Sequence, residues 1–335
     1  MQRWIPILAV ALCIQLAIAG ALKFRKDALV SSPPNSALVK TPIANADRIV
    51  VEGKPAAGKP AGSARVELVK RNGAWVVHSA YDMPVAANKA GDLIKQIAAL
   101  RRGLPIADTS GAPKRFKVSD EDFERRITLS QSGKSLATIY LGATAGPHET
   151  DARTAGERAV YTVDVPVYTL PTDAGGWFDD ELLQVPPDVL AEIDIEGAGH
   201  PPQVLTRQFG ANKTPGPWAL QGLAKGKQVD TLLVSSLTRA IAEMRVDDVL
   251  GDQPNPDWRT NEPALTLTLK TSAGKSTIWT LSKPKSGGFS VLKSSEHPWY
   301  FSLTDAQAKP LLDAAAPGAL VAEPPIPAKT PHAGR

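Results

Sequence analysis

The feature that most constrains this chain is an internal echo. Ile193-Asp194-Ile195-Glu196-Gly197 repeats the pattern of Ile49-Val50-Val51-Glu52-Gly53 at a separation of 144 residues. Val204–Arg207 answers Val66–Val69, and Trp218-Ala219-Leu220 answers Trp75-Val76-Val77 at 143. Leu237, Ile241 and Met244 follow Leu93, Ile97 and Leu100, each at 144, and Gly274-Lys275-Ser276 follows Gly133-Lys134-Ser135 at 141. Matches that keep one order and a nearly constant offset point to two copies of one supersecondary unit.

The unit can be read from its first copy. Arg65–Lys70 alternates apolar and polar residues like a half-buried strand, Asn72-Gly73 is a tight-turn dipeptide, and Trp75–Val77 folds back. Leu93, Ile97 and Leu100 recur at helical spacing within Ala86–Arg102, with Asn88 as a cap. Ile127–Leu129 and Leu136–Leu141 flank Ser132-Gly133-Lys134 as a second hairpin, and Val160–Val163 adds a strand. The expected fold class is α+β: two tandem repeats of a β-hairpin, helix, β-hairpin module, with antiparallel sheets and helices packed on one face. The modules are expected at 47–174 and 191–316, joined by 175–190. Trp75 and Trp218 hold equivalent places, so each is expected to anchor a module core.

Ahead of the modules, Trp4–Leu22 carries no charge over nineteen residues, bounded by Arg3 and by Lys23, Arg25 and Lys26. At about 1.5 Å per residue such a helix just crosses a hydrocarbon core of about 30 Å. Residues 1–26 are therefore expected to be a transmembrane anchor, followed by a Pro/Ser-rich tether at 27–46. Two other readings stand beside it. Ala17-Ile18-Ala19 is a small-x-small pattern for signal-peptide cleavage after Ala19, opposed by the basic residues just beyond it. A lipoprotein signal at Cys13 is disfavoured because Leu12 stands where a small residue is needed. The expected location is the cytoplasmic (inner) membrane, single-pass, with the C-terminal domain on the periplasmic side. The Pro/Ala-rich tail at 317–335 is expected to be disordered.

Charge and cysteine usage exclude several classes. The 38 basic residues exceed the 34 acidic ones by little and are scattered, without the basic stripe of a nucleic-acid binder. Cys13, the single cysteine, lies inside the apolar stretch, so neither disulfides nor thiol catalysis are expected beyond it.

The twin Gly-Lys-Ser triplets invite a phosphate-loop reading. That motif needs a glycine five residues earlier and a helix afterwards, whereas Thr128 and Leu269 occupy those positions and strands follow, so both triplets are hairpin turns. His78, His148, His200, His297 and His332 are isolated from one another in sequence and build no metal site. Asp120-Glu121-Asp122, Asp179-Asp180-Glu181 and Asp247-Asp248 sit at expected helix starts or linkers. No catalytic residue, metal ligand or cofactor is expected. The one candidate binding face comprises Trp177, Trp258, Trp279 and Trp299, aromatics not fixed by the repeat.

Asn72-Gly73-Ala74-Trp75, the helix after it, and Phe178-Asp179-Asp180-Glu181-Leu182-Leu183 running into Val189–Ile195 resemble a bacterial family, the domain of unknown function 4340. The likeness covers most of Ile49–Leu312, with longer insertions at Lys54–Gly62 and Thr144–Gly156. It implies a membrane-anchored envelope protein, often encoded beside ABC-type permeases and gliding-type auxiliary components, and brings no active-site residues. The leading expectation is thus a non-enzymatic accessory or scaffold protein of an envelope complex, with ABC-type permease subunits as partners. A periplasmic ligand- or glycan-binding module is the alternative. An envelope hydrolase would need distant Asp, Glu, His or Ser residues to converge in one cleft.

Overall fold

The computed structural model describes residues 12, 15, 35–54 and 64–322. Apart from Leu12 and Gln15, the uncharged stretch Trp4–Leu22 lies outside the described residues, as do 55–63 and 323–335. Among the described residues no helix is long and apolar enough to cross a membrane.

The first half of the chain gives strands β1 (Ser36–Ala37), β2 (Arg48–Gly53), β3 (Arg65–Arg71), β4 (Ala74–Val77) and β5 (Met83–Pro84), then helix α1 (Lys89–Ala99). These are followed by β6 (Arg101–Arg102), the one-turn helix α2 (Ala112–Arg115), β7 (Arg125–Gln131), β8 (Lys134–Thr144), β9 (Glu149–Thr154) and β10 (Tyr161–Asp164). The second half gives β11 (Leu190–Gly197), β12 (Gln203–Thr206), β13 (Ala219–Leu220), α3 (Thr231–Ala242), β14 (Asp248–Gly251), β15 (Leu265–Thr271), β16 (Ser276–Ser282), β17 (Phe289–Ser294), β18 (Tyr300–Thr304) and α4 (Asp305–Ala314). This is an α+β, sheet-rich chain whose strand pairs are antiparallel. Two units arise from it: residues up to Arg65 with Gly91–Leu170, and Val66–Ala90 with Pro171 onward.

In the first unit the order β10-β9-β8-β7-β2 builds one sheet. Ile49 and Val51 of β2, Ile127 and Leu129 of β7, and Ile139 and Leu141 of β8 are buried, so one face of the alternation is core. The opposite face is also covered, because Tyr140 packs with Ala112, Val118 and Val160 in a second small core. Gly142 lies two residues on from Tyr140, and a Cβ there would stand 2.0 Å from the Phe116 carbonyl oxygen. The segment expected as a free tether is partly core: Leu38, Ile43 and Ala46 are buried, and β1 pairs with β6. Taking these three apolar side chains out of water favours docking the segment over leaving it free. Two arginines are buried here. Arg153 donates to the Val118 carbonyl at 2.6 Å and to Asp120 at 2.6 Å and lies 4.5 Å from the Tyr140 ring centre.

Burial pushes the Asp151 carboxyl, on β9, above its usual 3.8. The folded state then holds its proton to higher pH than the unfolded chain, so stability falls as pH rises from the unfolded value through the raised folded one. Asp151→Asn is expected to melt a few degrees above the wild type at neutral pH, with the gap closing toward about pH 3.5. Thermal scans at both pH values check this, and an equal gap at both would refute it.

In the second unit the order β13-β12-β11-β15-β16-β17-β18-β14 gives an eight-stranded antiparallel sheet. Leu265, Leu267 and Leu269 alternate with half-buried Thr266, Thr268 and Lys270 along β15, a pattern that fixes which face turns inward. Val234, Leu237 and Ile241 of α3 and Ala308, Leu311 and Ala314 of α4 are buried in the same unit. Asp230 caps α3 by accepting from the Leu232 and Leu233 amides, and Thr304 with Gln307 forms a capping box on α4. The meander β3-β4-β5 belongs to this unit, with Leu68, Val77 and Met83 buried. Its turn has Asn72 at φ 50° and Gly73 at φ 86°, the pair of left-handed residues that a tight hairpin demands. The chain stays folded past 317: Leu320 is buried, and the Ala322 amide donates to the Gln228 carbonyl at 2.8 Å.

Candidate functional site

A cavity of about 310 Å³ lies in the second unit, between the join and the end of the β15–β16 hairpin. The hairpin sets its polar wall. Gly274 turns at φ 83°, Thr271 and Lys275 close the turn with a 2.9 Å backbone bond, and β16 then sends Thr277 and Trp279 to the cavity side. Trp279 stands opposite Leu267 on one neighbour and Ser294 on the other. The join supplies the apolar wall through Leu182, Leu183, Val185, Pro186 and Val189. It is pinned where the Ser272 amide donates to the Val189 carbonyl at 2.8 Å.

The polar groups are bonded to one another. Lys275 Nζ reaches one oxygen of Glu296 at 2.8 Å, and the Thr277 hydroxyl donates to the other. Burial would push the Glu296 carboxyl up, but the bonds from Lys275 and Thr277 and the Lys275 charge outweigh it and hold it below the usual carboxylate range. Burial pushes the His297 imidazole down, against the pull of Glu296 and of a bond to the Leu182 backbone, so it is neutral at pH 7. The indole Nε1 of Trp279 is buried and has no hydrogen-bond partner among the described residues. Acid, ammonium and hydroxyl are thus joined in one hydrogen-bonded group on the polar wall. The Ser294 hydroxyl accepts the Glu296 amide at 3.3 Å.

The four tryptophans expected to form one binding face do not share one. Trp177 and Trp279 are 2% and 1% exposed and belong to the core of the second unit. Trp258 and Trp299 are half-buried. The Trp258 ring centre lies 5.0 Å from that of Tyr300, while Trp299 stacks on His297 at 6.0 Å and donates to the Tyr81 carbonyl at 2.7 Å. The two tryptophans expected as core anchors are only half-buried instead. Trp75 lies on a short hairpin opposite Lys70, and the Arg207 guanidinium stands 4.5 Å from the Trp218 ring centre.

Two of the acidic clusters are ion-paired, Asp122 with Lys54 and Asp120 with Arg153 in one, and Asp180 with Arg245 in the other, while Asp248 accepts from the Val249 amide at 2.8 Å. Among the described residues no group of three His, Cys, Asp or Glu residues is placed to hold a metal. Ser294, Glu296 and His297 do meet in one cleft, the convergence a hydrolase needs, but Glu296 is committed to Lys275 and Thr277. Sequence reasoning singled out the Lys275 turn and dismissed it as a phosphate loop. It missed Glu296, whose role depends on β17 returning beside β16.

With this geometry in hand, comparison with known proteins gives one match. Residues 75–266 fit the model of a domain of unknown function, DUF4340. The chain belongs to this family. No curated protein and no solved structure matches it. The DUF4340 match contains the join with its Leu182–Val189 wall and ends inside β15, so the polar wall from Thr271 to His297 lies beyond the matched residues.

Proposed function

We propose that this DUF4340 protein is a membrane-anchored, non-enzymatic accessory or scaffold subunit of a bacterial envelope complex, associated with an ABC-type transport system. Its folded modules stand on the periplasmic side of the cytoplasmic membrane, held by Trp4–Leu22. The observation that carries this reading is the nineteen-residue uncharged stretch Trp4–Leu22, long enough to cross a hydrocarbon core as a helix, in a chain of the DUF4340 family.

The finer architecture is part of the proposal: the modules are tandem copies of one unit. Supporting it, β2 pairs antiparallel with β7 and β11 with β15, placing Ile49 opposite Leu129 and Ile193 opposite Leu269. A helix with a buried apolar stripe separates the paired strands in each case, and the equivalent turn glycines Gly133 and Gly274 have φ of 78° and 83°.

Affinity capture of the full chain from solubilised bacterial membranes tests the reading. Permease and ATPase subunits are expected to co-purify in fixed proportion. Recovery of the chain alone, under conditions that preserve other envelope complexes, would overturn it.

A further inference from the structure

The chain enters the first unit beside an exposed apolar loop. β1 pairs antiparallel with β6, with Ser36 opposite Arg102 and Ala37 opposite Arg101, and the Asn35 amide donates to the Arg102 carbonyl at 2.9 Å. Stepping back along β1 therefore runs in the same direction as stepping forward along β6. The loop 103–106 leaves this ladder at the end where the chain arrives. Both ends of the loop are fixed. Arg102 is buried and donates to the Ser36 hydroxyl, to Glu157 and to the Tyr161 hydroxyl, while the Ile106 amide donates to the Val160 carbonyl at 2.8 Å. Between these points Leu104 is 76% and Ile106 46% exposed, and Pro105 is exposed with them. Single exposed apolar side chains are ordinary on a protein surface, but three in a row on a pinned base mark a contact site.

We propose that the loop 103–106 docks into the surface of the phospholipid bilayer that holds Trp4–Leu22, with Leu104 and Ile106 at the edge of the acyl chains and the neighbouring basic side chains on anionic headgroups.

Reach and charge choose this occupant. Twelve residues, 23–34, separate the uncharged stretch from Asn35. At about 3.5 Å each they keep the loop within about 40 Å of the bilayer. A contact over that range is intramolecular, so even a weak one is populated. Around the loop, Arg101, Arg102, Lys40 and Arg158 face two acids, Glu157 and Asp108. Lys40 and Arg102 share Glu157 at 3.0 Å each, and Asp108 lies 3.8 Å from Arg158. Arg101 is exposed and donates to the carbonyls of Ala98 and Leu100. The surplus is positive, and Lys23, Arg25 and Lys26 extend it toward the uncharged stretch. An apolar tip flanked by basic residues is what an anionic lipid surface attracts.

This inference rests on Trp4–Leu22 being a membrane anchor, and the test reads anchor and loop separately. The full chain is reconstituted in vesicles of phosphatidylcholine with about one third phosphatidylglycerol, carrying one nitroxide spin label per molecule. Collisions with oxygen, which concentrates in lipid, are compared with collisions with a water-soluble nickel chelate. A label on Cys13, the single cysteine, reads the anchor. Cys13→Ala with Gly103→Cys reads the loop, where an added Cβ meets nothing within 4 Å. Cys13→Ala with Tyr168→Cys is the control, because Tyr168 is 66% exposed but follows the opposite end of β10 from Val160. The labels at 13 and 103 are expected to favour oxygen and the label at 168 the chelate. Adding Leu104→Ser and Ile106→Ser to the 103-labelled chain is expected to lower its ratio of docked to free loop about tenfold. Arg101→Gln is expected to lower that ratio about fivefold, an effect absent in pure phosphatidylcholine. A label at 103 as open to the chelate as that at 168, with Cys13 immersed, would overturn the docking and leave the anchor standing. Immersion at 103 that survives the serine pair would overturn it as well, and a Cys13 label open to the chelate would overturn both readings.

Discussion

Trp177→Ala is expected to reduce the free energy of unfolding by about 4 kcal/mol, the size found when a fully buried aromatic is truncated. The ring is 2% exposed, and its Nε1 donates to the Pro171 carbonyl at 2.9 Å. The surroundings are fastened down as well, so the hole cannot close easily. The Ala86 amide donates to the Trp177 carbonyl at 2.9 Å, the Asp179 amide to that of Pro84 at 2.9 Å, and the Lys89 ammonium lies 5.6 Å from the ring centre. Truncation removes the packing and orphans a carbonyl together. Trp75→Ala provides the contrast, with an expected cost of about 2 kcal/mol because part of its side chain is already in water. Urea denaturation of both variants is the measurement. Equal costs would mean that the two rings are not differently buried, contrary to the structure.

Gly142→Ala is expected to cost about 3 kcal/mol or more, again by urea denaturation, although it adds only a methyl group. That methyl would lie 2.0 Å from the Phe116 oxygen, 2.8 Å from Val118 Cγ1 and 3.0 Å from the Lys117 oxygen. Two of these three obstacles are backbone atoms, which cannot swing aside as a side chain would, so the loop over β8 must lift off the sheet. The same change at Gly91, in α1 with nothing within 4 Å, should instead stabilise by about 0.5–1 kcal/mol through helix propensity. Opposite signs for one chemical substitution would separate steric close approach from backbone preference. A mild effect at Gly142 would show that the loop does not touch the strand there.

The elements legible beforehand were those written in short-range chemistry. Asn72-Gly73 marked a turn because both residues accept left-handed φ at little cost, and the chain turns there. Leu237 and Ile241 marked a buried helical stripe, and both are fully buried; Met244, read with them, is buried too but lies just past the end of α3. The alternation of Arg65–Lys70 marked a half-buried strand, and it forms one with Val66 and Leu68 buried. The candidate site was less legible. Trp279 and Ile278 are neighbours in β16, and nothing local says which points in; the ladder to β15 and β17 puts Trp279 inside and leaves Ile278 43% exposed. Leu38, Ile43 and Ala46 lie among prolines and serines, and their burial followed from the fold around them rather than from any periodicity of their own.

The sequence by itself determined turns, periods, the charge-free stretch and the family, because each rests on the sterics of neighbouring residues or on pattern along the chain. Only the tertiary structure decided which tryptophans are core and which stay half in water. It also decided that a lysine from a turn, a glutamate from beyond β17 and a buried indole line one cavity under the join. Burial and electrostatic pairing depend on what covers a residue and on what lies within a few ångströms of it, and strands far apart in sequence supply both.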